Sequence, residues 1–182
     1  MASSDARDDD KPQSTFYFAL VAALVLAAFA LLPRLSIGRH PLMGKAAPAF
    51  SLEVVHNGEA GARLDLEKFK GHPVILDFWA TWCGPCRVEA PILSRVAERY
   101  KDRGLVVVGV NTNDKPGLAR AFAADKKLSY PIVFDEGSDV GERYGVSSLP
   151  TLVLVGKDGT VRAVKTGIVD EASLEAMISA EL

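Results

Sequence analysis

The two cysteines of the chain, Cys83 and Cys86, are the residues whose type and spacing most directly indicate chemistry. The two residues between them, Gly84 and Pro85, leave the thiols close enough to form a small disulfide. With only two cysteines in 182 residues, a scaffold held by several disulfides and a zinc site with four cysteine ligands are both excluded. A redox pair, a structural pair and half of a metal site remain, and the sequence favours the redox pair.

A metal site would need two further ligands from His40, His56 and His72, the three histidines of the chain. None of these histidines has the spacing of a ligand pair. We therefore expect no metal, and no cofactor other than the redox-active disulfide between Cys83 and Cys86.

The cysteine pair lies between a predicted buried strand and a predicted helix. Residues 74–80, VILDFWA, are almost continuously apolar, which is typical of a central strand covered on both faces. A helix is predicted from Cys83 to about Lys101, with a kink at Pro91. The free N–H groups and the dipole at a helix N-terminus stabilise a thiolate, so the pKa of Cys83 should be lowered. Cys83 is expected to attack a partner's disulfide, and Cys86 to resolve the mixed disulfide.

Asp77 is an unusual residue inside this apolar strand. An ionised carboxylate is costly to bury, so burial should raise the pKa of Asp77. The alternative is that Asp77 lies at a hydrated end of the strand and has no role.

The remaining patterns predict one α/β domain over residues 47–182. Residues 105–110, LVVVGV, predict a second buried strand, and the helix between the two buried strands implies a right-handed βαβ unit. Residues 151–155 and 160–165 predict a hairpin, so the sheet must be mixed. The other predicted elements are an edge strand at 50–56, a helical turn or loop at 64–69, helices at 117–127 and 140–144, a strand at 132–134, and a last helix N-capped by Asp170.

The first 46 residues have a different character. Residues 1–15 are polar and acidic, which predicts a disordered tail. Residues 16–32, which begin with Phe16 and end with Leu32, contain no charged side chain, and as a helix they would span about 26 Å of a bilayer core of about 30 Å. We expect a transmembrane anchor over residues 16–33 and a linker over residues 34–46. The alternatives are a cleaved signal peptide and a buried core helix, and the flanking charges do not decide the orientation.

The composition is that of a folded chain without a nucleic-acid partner. Apolar residues make up 48% of the chain, which is enough for a buried core. Twenty-one Lys and Arg residues against 23 Asp and Glu residues give a net charge of −2. A nucleic-acid binder would need a basic surface to offset the phosphate charge.

Residues 74–91, VILDFWATWCGPCRVEAP, resemble the active-site strand and helix of the thioredoxin superfamily. The apolar N-terminal run, Phe69-Lys70-Gly71 before the strand, and Cys86-Arg87-x-Glu89 after it make the chain similar to the membrane-anchored TlpA/ResA-like thiol–disulfide oxidoreductases. The resemblance implies a thioredoxin-like fold, with a mixed central sheet flanked by helices and a single N-terminal transmembrane helix.

The resemblance also implies catalytic roles for two acids. Asp77 matches the buried acid that handles proton transfer at the resolving cysteine, although relatives in the anchored branch often carry Asn there. Glu89 matches a glutamate that this branch places near its cysteines. For Glu89, a solvated charge on the helix face is the alternative interpretation.

Substrate-binding residues follow from the same resemblance. Pro150 matches the cis-proline beside the cysteines, so that Leu149, which precedes it, can pair with a substrate strand. Trp82 is expected to cover the disulfide and, together with Gly84 and Pro85, to contact the substrate. The Gly84-Pro85 dipeptide is that of reducing thioredoxins.

The expected function is that of a monomeric, membrane-tethered oxidoreductase. Its expected partners are disulfide-containing client proteins, of the cytochrome c maturation or copper-protein assembly type, and an upstream membrane electron donor. The expected location is the bacterial cytoplasmic membrane, with the domain facing the periplasm or the cell exterior. One alternative is a thiol peroxidase, although Thr81 lies two residues before Cys83, where that pattern needs a threonine three residues before. The other is a non-catalytic scaffold.

Overall fold

The computed structural model describes residues 11–31, 40–59 and 61–182, and for residues 11–15 and 28–31 it describes the backbone only. The chain divides into two compact units, residues 1–39 and residues 40–182. Most of the predicted tail, residues 1–10, and part of the predicted linker, residues 34–39, lie outside the described residues.

In the first unit, helix α1 covers Lys11–Leu31 and includes most of the apolar run. The side chains described for this helix, at residues 16–27, are exposed. Within the described part of the chain, no helix combines the length and the apolar character that crossing a membrane requires.

The second unit contains a seven-stranded mixed sheet and four α-helices among its described residues. The strand order is β2-β1-β5-β4-β3-β6-β7. The strands are β1 (Ser51–His56), β2 (Arg63–Asp65), β3 (Val74–Trp79), β4 (Val106–Thr112), β5 (Ile132–Asp135), β6 (Thr151–Val155) and β7 (Val161–Thr166). The helices are α2 (Gly84–Tyr100), α3 (Pro116–Asp125), α4 (Asp139–Arg143) and α5 (Glu171–Ser179).

The βαβ unit predicted around the cysteines is present. Strands β3 and β4 are parallel neighbours at the centre of the sheet, and α2 connects them. The predicted hairpin is also present, because β6 pairs antiparallel with both β3 and β7. Asp170 caps α5 as predicted, its carboxylate accepting the backbone N–H of Ser173 at 2.9 Å.

One prediction near the start of the domain is wrong, and a second is confirmed only in part. The strand expected at the edge, β1, lies inside the sheet, because a three-residue strand, β2, pairs with its outer side. The segment expected to be only a helical turn or loop therefore begins within β2, and a short 3₁₀-helix at Leu66–Phe69 follows it. Three residues are too few for the alternation that identifies a strand in a sequence.

Each face of the sheet is covered by its own apolar cluster. Helices α2, α3 and α5 pack on one face through side chains such as Leu93, Ala119 and Leu174. On the other face, Phe50 and Tyr144 pack with the alternate residues of β3 and β4. Every residue of β3 is buried, as its apolar sequence predicts. Strand β3 therefore provides a rigid support for the cysteines that follow it.

Candidate active site

Cys83 and Cys86 form a disulfide at the N-terminus of α2. Cys83 is the N-cap residue of this helix, and its Sγ accepts the backbone N–H of Cys86 at 3.2 Å. The bridge lies just below the surface, since Cys83 is 5% exposed and Cys86 is 2% exposed, whereas Gly84 and Pro85 between them are exposed. The backbone N–H that holds the Cys83 sulfur is the kind of donor that stabilises a thiolate after reduction.

Pro150 lies at the same end of the sheet as the disulfide. The Leu149–Pro150 peptide bond is cis, as the family resemblance implies. The next residue, Thr151, pairs with Phe78 near the end of β3, which places the start of β6 beside the strand that leads to the cysteines. The carbonyl oxygen of Pro150 accepts the N–H of Gly167 at 2.9 Å, and Leu149 is half-buried.

A cleft of about 280 Å³ adjoins Trp82 and the loop before Pro150. Leu149, Ser148 and Asn113 contribute to its lining. The Trp82 side chain is 61% exposed, and its Nε1 donates to the carbonyl oxygen of Asn113 at 2.9 Å. The indole is thereby held in place at the mouth of the cleft, where a bound polypeptide could contact it.

Asp77 is buried beneath the active-site segment. It is 2% exposed, and in the sheet it lies between Gly109 of β4 and Leu152 of β6. Its Oδ2 accepts the hydroxyl of Tyr130 at 3.5 Å, and its Oδ1 has no hydrogen-bond partner among the described residues. Burial, and then the charge of Glu89, raise the pKa of Asp77 well above its usual value. The hydrated strand end is therefore excluded.

Glu89 is also buried, which excludes the solvated helix-face charge. Its side chain is 1% exposed, and its Oε1 accepts the backbone N–H of Val169 at 2.7 Å. Its Oε2 finds no hydrogen-bond partner in the part of the chain that is described. Burial raises the pKa of Glu89 to about 7, although the bond from Val169 acts in the opposite direction.

The two acids and Tyr130 form one buried polar group, which we name the acid cluster. Burial, and then the charges of Asp77 and Glu89, raise the pKa of Tyr130 well above its usual value. Gly109 makes room for this arrangement, because a Cβ there would lie 3.1 Å from the Tyr130 ring and 3.0 Å from Nε1 of Trp79. At neutral pH the acid cluster can bind or release a proton, since one of its pKa values lies near 7.

Sequence reasoning did not identify Tyr130 or Asp114 as site residues. The carboxylate of Asp114 binds Thr81, which lies directly before Trp82. The position of Asp114 shortly after a predicted buried strand was a signal for this contact, because residues that follow two neighbouring parallel strands meet at the same edge of a sheet.

Among the described residues, no group of three or more His, Cys, Asp or Glu side chains could hold a metal ion.

The fold and the bridged cysteines at the start of α2 define a thiol–disulfide oxidoreductase of the thioredoxin superfamily. The sequence profile of the AhpC/TSA family matches residues 43–164, and the chain belongs to this family. The resemblance of the domain to thioredoxin-like oxidoreductases is thereby confirmed.

Individual proteins support the same class. The chain is 36% identical over 119 residues to the thiol-disulfide oxidoreductase ResA of Bacillus thuringiensis subsp. konkukian, covering 65% of this chain and 66% of that protein. It is 34% identical over 132 residues to ResA of Halalkalibacterium halodurans, covering 72% of this chain and 73% of that protein. A crystal structure of a putative thiol:disulfide interchange protein DsbE from Chlorobium tepidum superimposes with a TM-score of 0.71 at 34% identity, covering 76% of this chain and 96% of that chain.

Proposed function

We propose that this protein is a membrane-tethered reductase that uses Cys83 and Cys86 to reduce disulfides of specific partner proteins outside the cytoplasm. One observation carries the proposal. The Cys83 sulfur caps α2 and accepts the N–H of Cys86, with the exposed Trp82 and a cleft beside it. This arrangement favours a thiolate at the position that a partner's disulfide can reach.

The reaction transfers two electrons and begins with the dithiol form. The Cys83 thiolate attacks one sulfur of the client disulfide, which forms a mixed disulfide and releases the other client sulfur as a thiolate. Cys86 then loses its proton and attacks the Cys83 sulfur. The Cys83–Cys86 disulfide forms, the second client thiolate leaves, and the client has been reduced while the protein has been oxidised.

The acid cluster is suited to the proton transfer in the second step. Cys86 begins as a buried thiol, and its attack requires a proton acceptor. We assign this role to Asp77, with Glu89 as the second member of the pair, because both acids are buried and each has an oxygen without a hydrogen-bond partner among the described residues. Close to neutral pH, the raised pKa of Glu89 allows it to exchange a proton without a large free-energy difference.

Client binding is assigned to the surface around the disulfide. Gly84 and Pro85 expose the backbone beside the sulfurs, and Trp82 offers an exposed aromatic face. We propose that a client segment lies against these residues in an extended conformation and pairs with the backbone at Leu149, before Pro150. The adjoining cleft would accept a client side chain.

The anchor and the partners complete the proposal. Residues 16–32 would hold the protein in the bacterial cytoplasmic membrane, with the domain facing the periplasm or the cell exterior. An upstream membrane protein would return electrons to the Cys83–Cys86 disulfide. The proposed clients are proteins of cytochrome c maturation or copper-protein assembly, whose cysteines must be reduced before they bind their cofactor or metal.

A trapping experiment in native membranes tests the reductase proposal. Cys86→Ser in the full-length chain should accumulate mixed disulfides through Cys83 with a small set of extracytoplasmic proteins, which mass spectrometry identifies. The matched control is the Cys83→Ser, Cys86→Ser double variant, which should capture none. Capture of cytoplasmic proteins alone, or equal recovery with the double variant, would contradict the proposal.

A second experiment tests the anchor. The full-length chain should stay with the membrane during extraction at alkaline pH, whereas a chain without residues 1–34 should be released. Added protease should degrade the domain in spheroplasts without lysis. Release of the full-length chain, or protection of the domain until lysis, would contradict this part of the proposal.

A further inference from the structure

The turn that leads to Cys83 is fixed by hydrogen bonds to the loop after β4. Residues 80–83 form a hydrogen-bonded turn in which the N–H of Cys83 donates to the carbonyl oxygen of Ala80 at 3.2 Å. Thr81 and Trp82 are its central residues, and both are bonded to the loop after β4. The indole of Trp82 binds the carbonyl oxygen of Asn113, and Thr81 binds the carboxylate of Asp114.

Asp114 holds Thr81 through both oxygens of its carboxylate. Its Oδ2 accepts the backbone N–H of Thr81 at 2.6 Å, and its Oδ1 accepts the Thr81 hydroxyl at 3.1 Å. Two further donors complete the set, the N–H of Lys115 at 2.8 Å and Nδ2 of Asn111 at 3.1 Å. Because four donors converge on one carboxylate, an amide in its place would direct an NH₂ group at two of them.

We infer that Asp114 is a positioning residue for the thiol–disulfide reaction, because it fixes the turn that sets the Cys83 sulfur at the N-terminus of α2. The Cys83–Cys86 bond restrains the Cys83 side chain only in the oxidised protein. The hydrogen bonds that Thr81 donates to Asp114 involve neither sulfur, so opening the bridge does not itself break them. They keep the free thiolate of Cys83 where it can accept the N–H of Cys86 and attack along one direction.

The partial burial and the lowered pKa of Asp114 both support its role as a positioning residue. Asp114 is half-buried, and its neighbour Asn111 is fully buried and also donates to the carbonyl oxygen of Trp79 at 3.4 Å. Burial raises the pKa of Asp114, but the bonds from Thr81, Asn111 and Lys115 outweigh this effect and lower it below the usual value. The carboxylate is therefore ionised at neutral pH and accepts charge-assisted hydrogen bonds.

The test measures the reactivity of Cys83 alone. In a full-length Cys86→Ser background, Cys83 is the only thiol of the chain, and its thiolate attacks the disulfide of 5,5′-dithiobis(2-nitrobenzoate) with release of one coloured nitrothiobenzoate. Adding Asp114→Asn should lower the second-order rate constant about tenfold at fixed pH. Thr81→Val, which removes only the hydroxyl bond, should lower it by about threefold.

Two variants separate positioning from a loss of charge or a general disturbance. Thr81→Ser keeps the hydroxyl, so its rate constant should lie within about twofold of that of the Cys86→Ser background. Asp139→Asn removes an exposed carboxylate that has no side-chain hydrogen bond among the described residues, and it should also leave the rate within about twofold. The fluorescence of Trp79 and Trp82 checks that each variant is folded.

The inference rests on the proposed function only in taking Cys83 as the attacking sulfur. If the Cys86→Ser background reacts no faster than glutathione, Cys83 is not activated and the proposed function fails. If the background reacts fast, and both Asp114→Asn and Thr81→Val react equally fast, the positioning role alone is overturned. Equal losses in Thr81→Ser and Thr81→Val would also overturn it, because the hydroxyl bond would then be irrelevant.

Discussion

The buried carboxyl group of Glu89 should make the domain less stable as the pH rises from about 4.5 to about 7. Its pKa in the folded protein is about 7, against 4.5 in an unfolded chain, so between these values the folded state binds more protons. The stability from this group is fully present below about pH 4.5 and is lost as the pH rises to about 7. At about 1.4 kcal/mol for each pKa unit, the total is about 3 kcal/mol.

Glu89→Gln isolates this contribution, because glutamine does not ionise and its oxygen can still accept the N–H of Val169. The free energy of unfolding of the oxidised full-length protein is measured with urea from pH 4.5 to 8.5. Fluorescence is a suitable signal, since the two tryptophans of the chain both lie in this domain. At each pH, the free energy of unfolding of wild type is subtracted from that of the variant. This difference should increase by about 3 kcal/mol from the acidic to the basic end of the pH range.

The matched control is Glu98→Gln on the same helix. Glu98 is exposed and pairs with Lys101 at 2.9 Å, so its removal should cost less than about 1 kcal/mol with no comparable trend. Asp77 adds a trend of the same sign in both proteins, and this trend is larger in wild type, because only there does the charge of Glu89 also raise the pKa of Asp77. If the difference between wild type and Glu89→Gln is the same at every pH, Glu89 does not have a raised pKa, and the reasoning about the acid cluster is refuted.

Three further predictions concern single positions. Asp77→Asn should slow the resolution of a mixed disulfide by Cys86 at neutral pH, measured by rapid quenching and mass spectrometry, and rates unchanged from mildly acidic to mildly basic pH would exclude this role. Gly109→Ala should destabilise the domain by about 1–3 kcal/mol in urea unfolding, because its Cβ would lie 2.5 Å from Cδ1 of Ile132 and 3.1 Å from the Tyr130 ring, and full stability would show that these side chains can move away. Asp170→Ala should cost about 1 kcal/mol by loss of the α5 cap, with an unchanged urea midpoint as the contrary result.

Much of the site could be predicted because its signals are local. The cysteine motif, the apolar run of β3 and the cap at Asp170 each lie within a few residues of sequence. The cis bond before Pro150 was predicted from the family resemblance, and the structure contains it. The raised pKa of Asp77 followed from one polar residue in an apolar strand, which is a strong local contrast.

The rest depends on contacts between distant segments. The burial of Glu89 requires the loop that carries Val169, 80 positions further along the chain. The bonds of Asp114 to Thr81 cross 33 positions and exist because β3 and β4 end at the same edge of the sheet. A polar residue in a loop has no periodicity to mark it, so its role becomes visible only when the strands are placed side by side.

The central claim is that Cys83 attacks and Cys86 resolves, and intact-mass spectrometry tests it most directly. Reduced full-length wild type, Cys83→Ser and Cys86→Ser are each mixed with a peptide that contains one intramolecular disulfide. We predict a persistent peptide adduct on Cys83 in Cys86→Ser, none in Cys83→Ser, and only the oxidised protein and reduced peptide with wild type. An adduct that forms equally fast on Cys86 in Cys83→Ser would contradict the assignment.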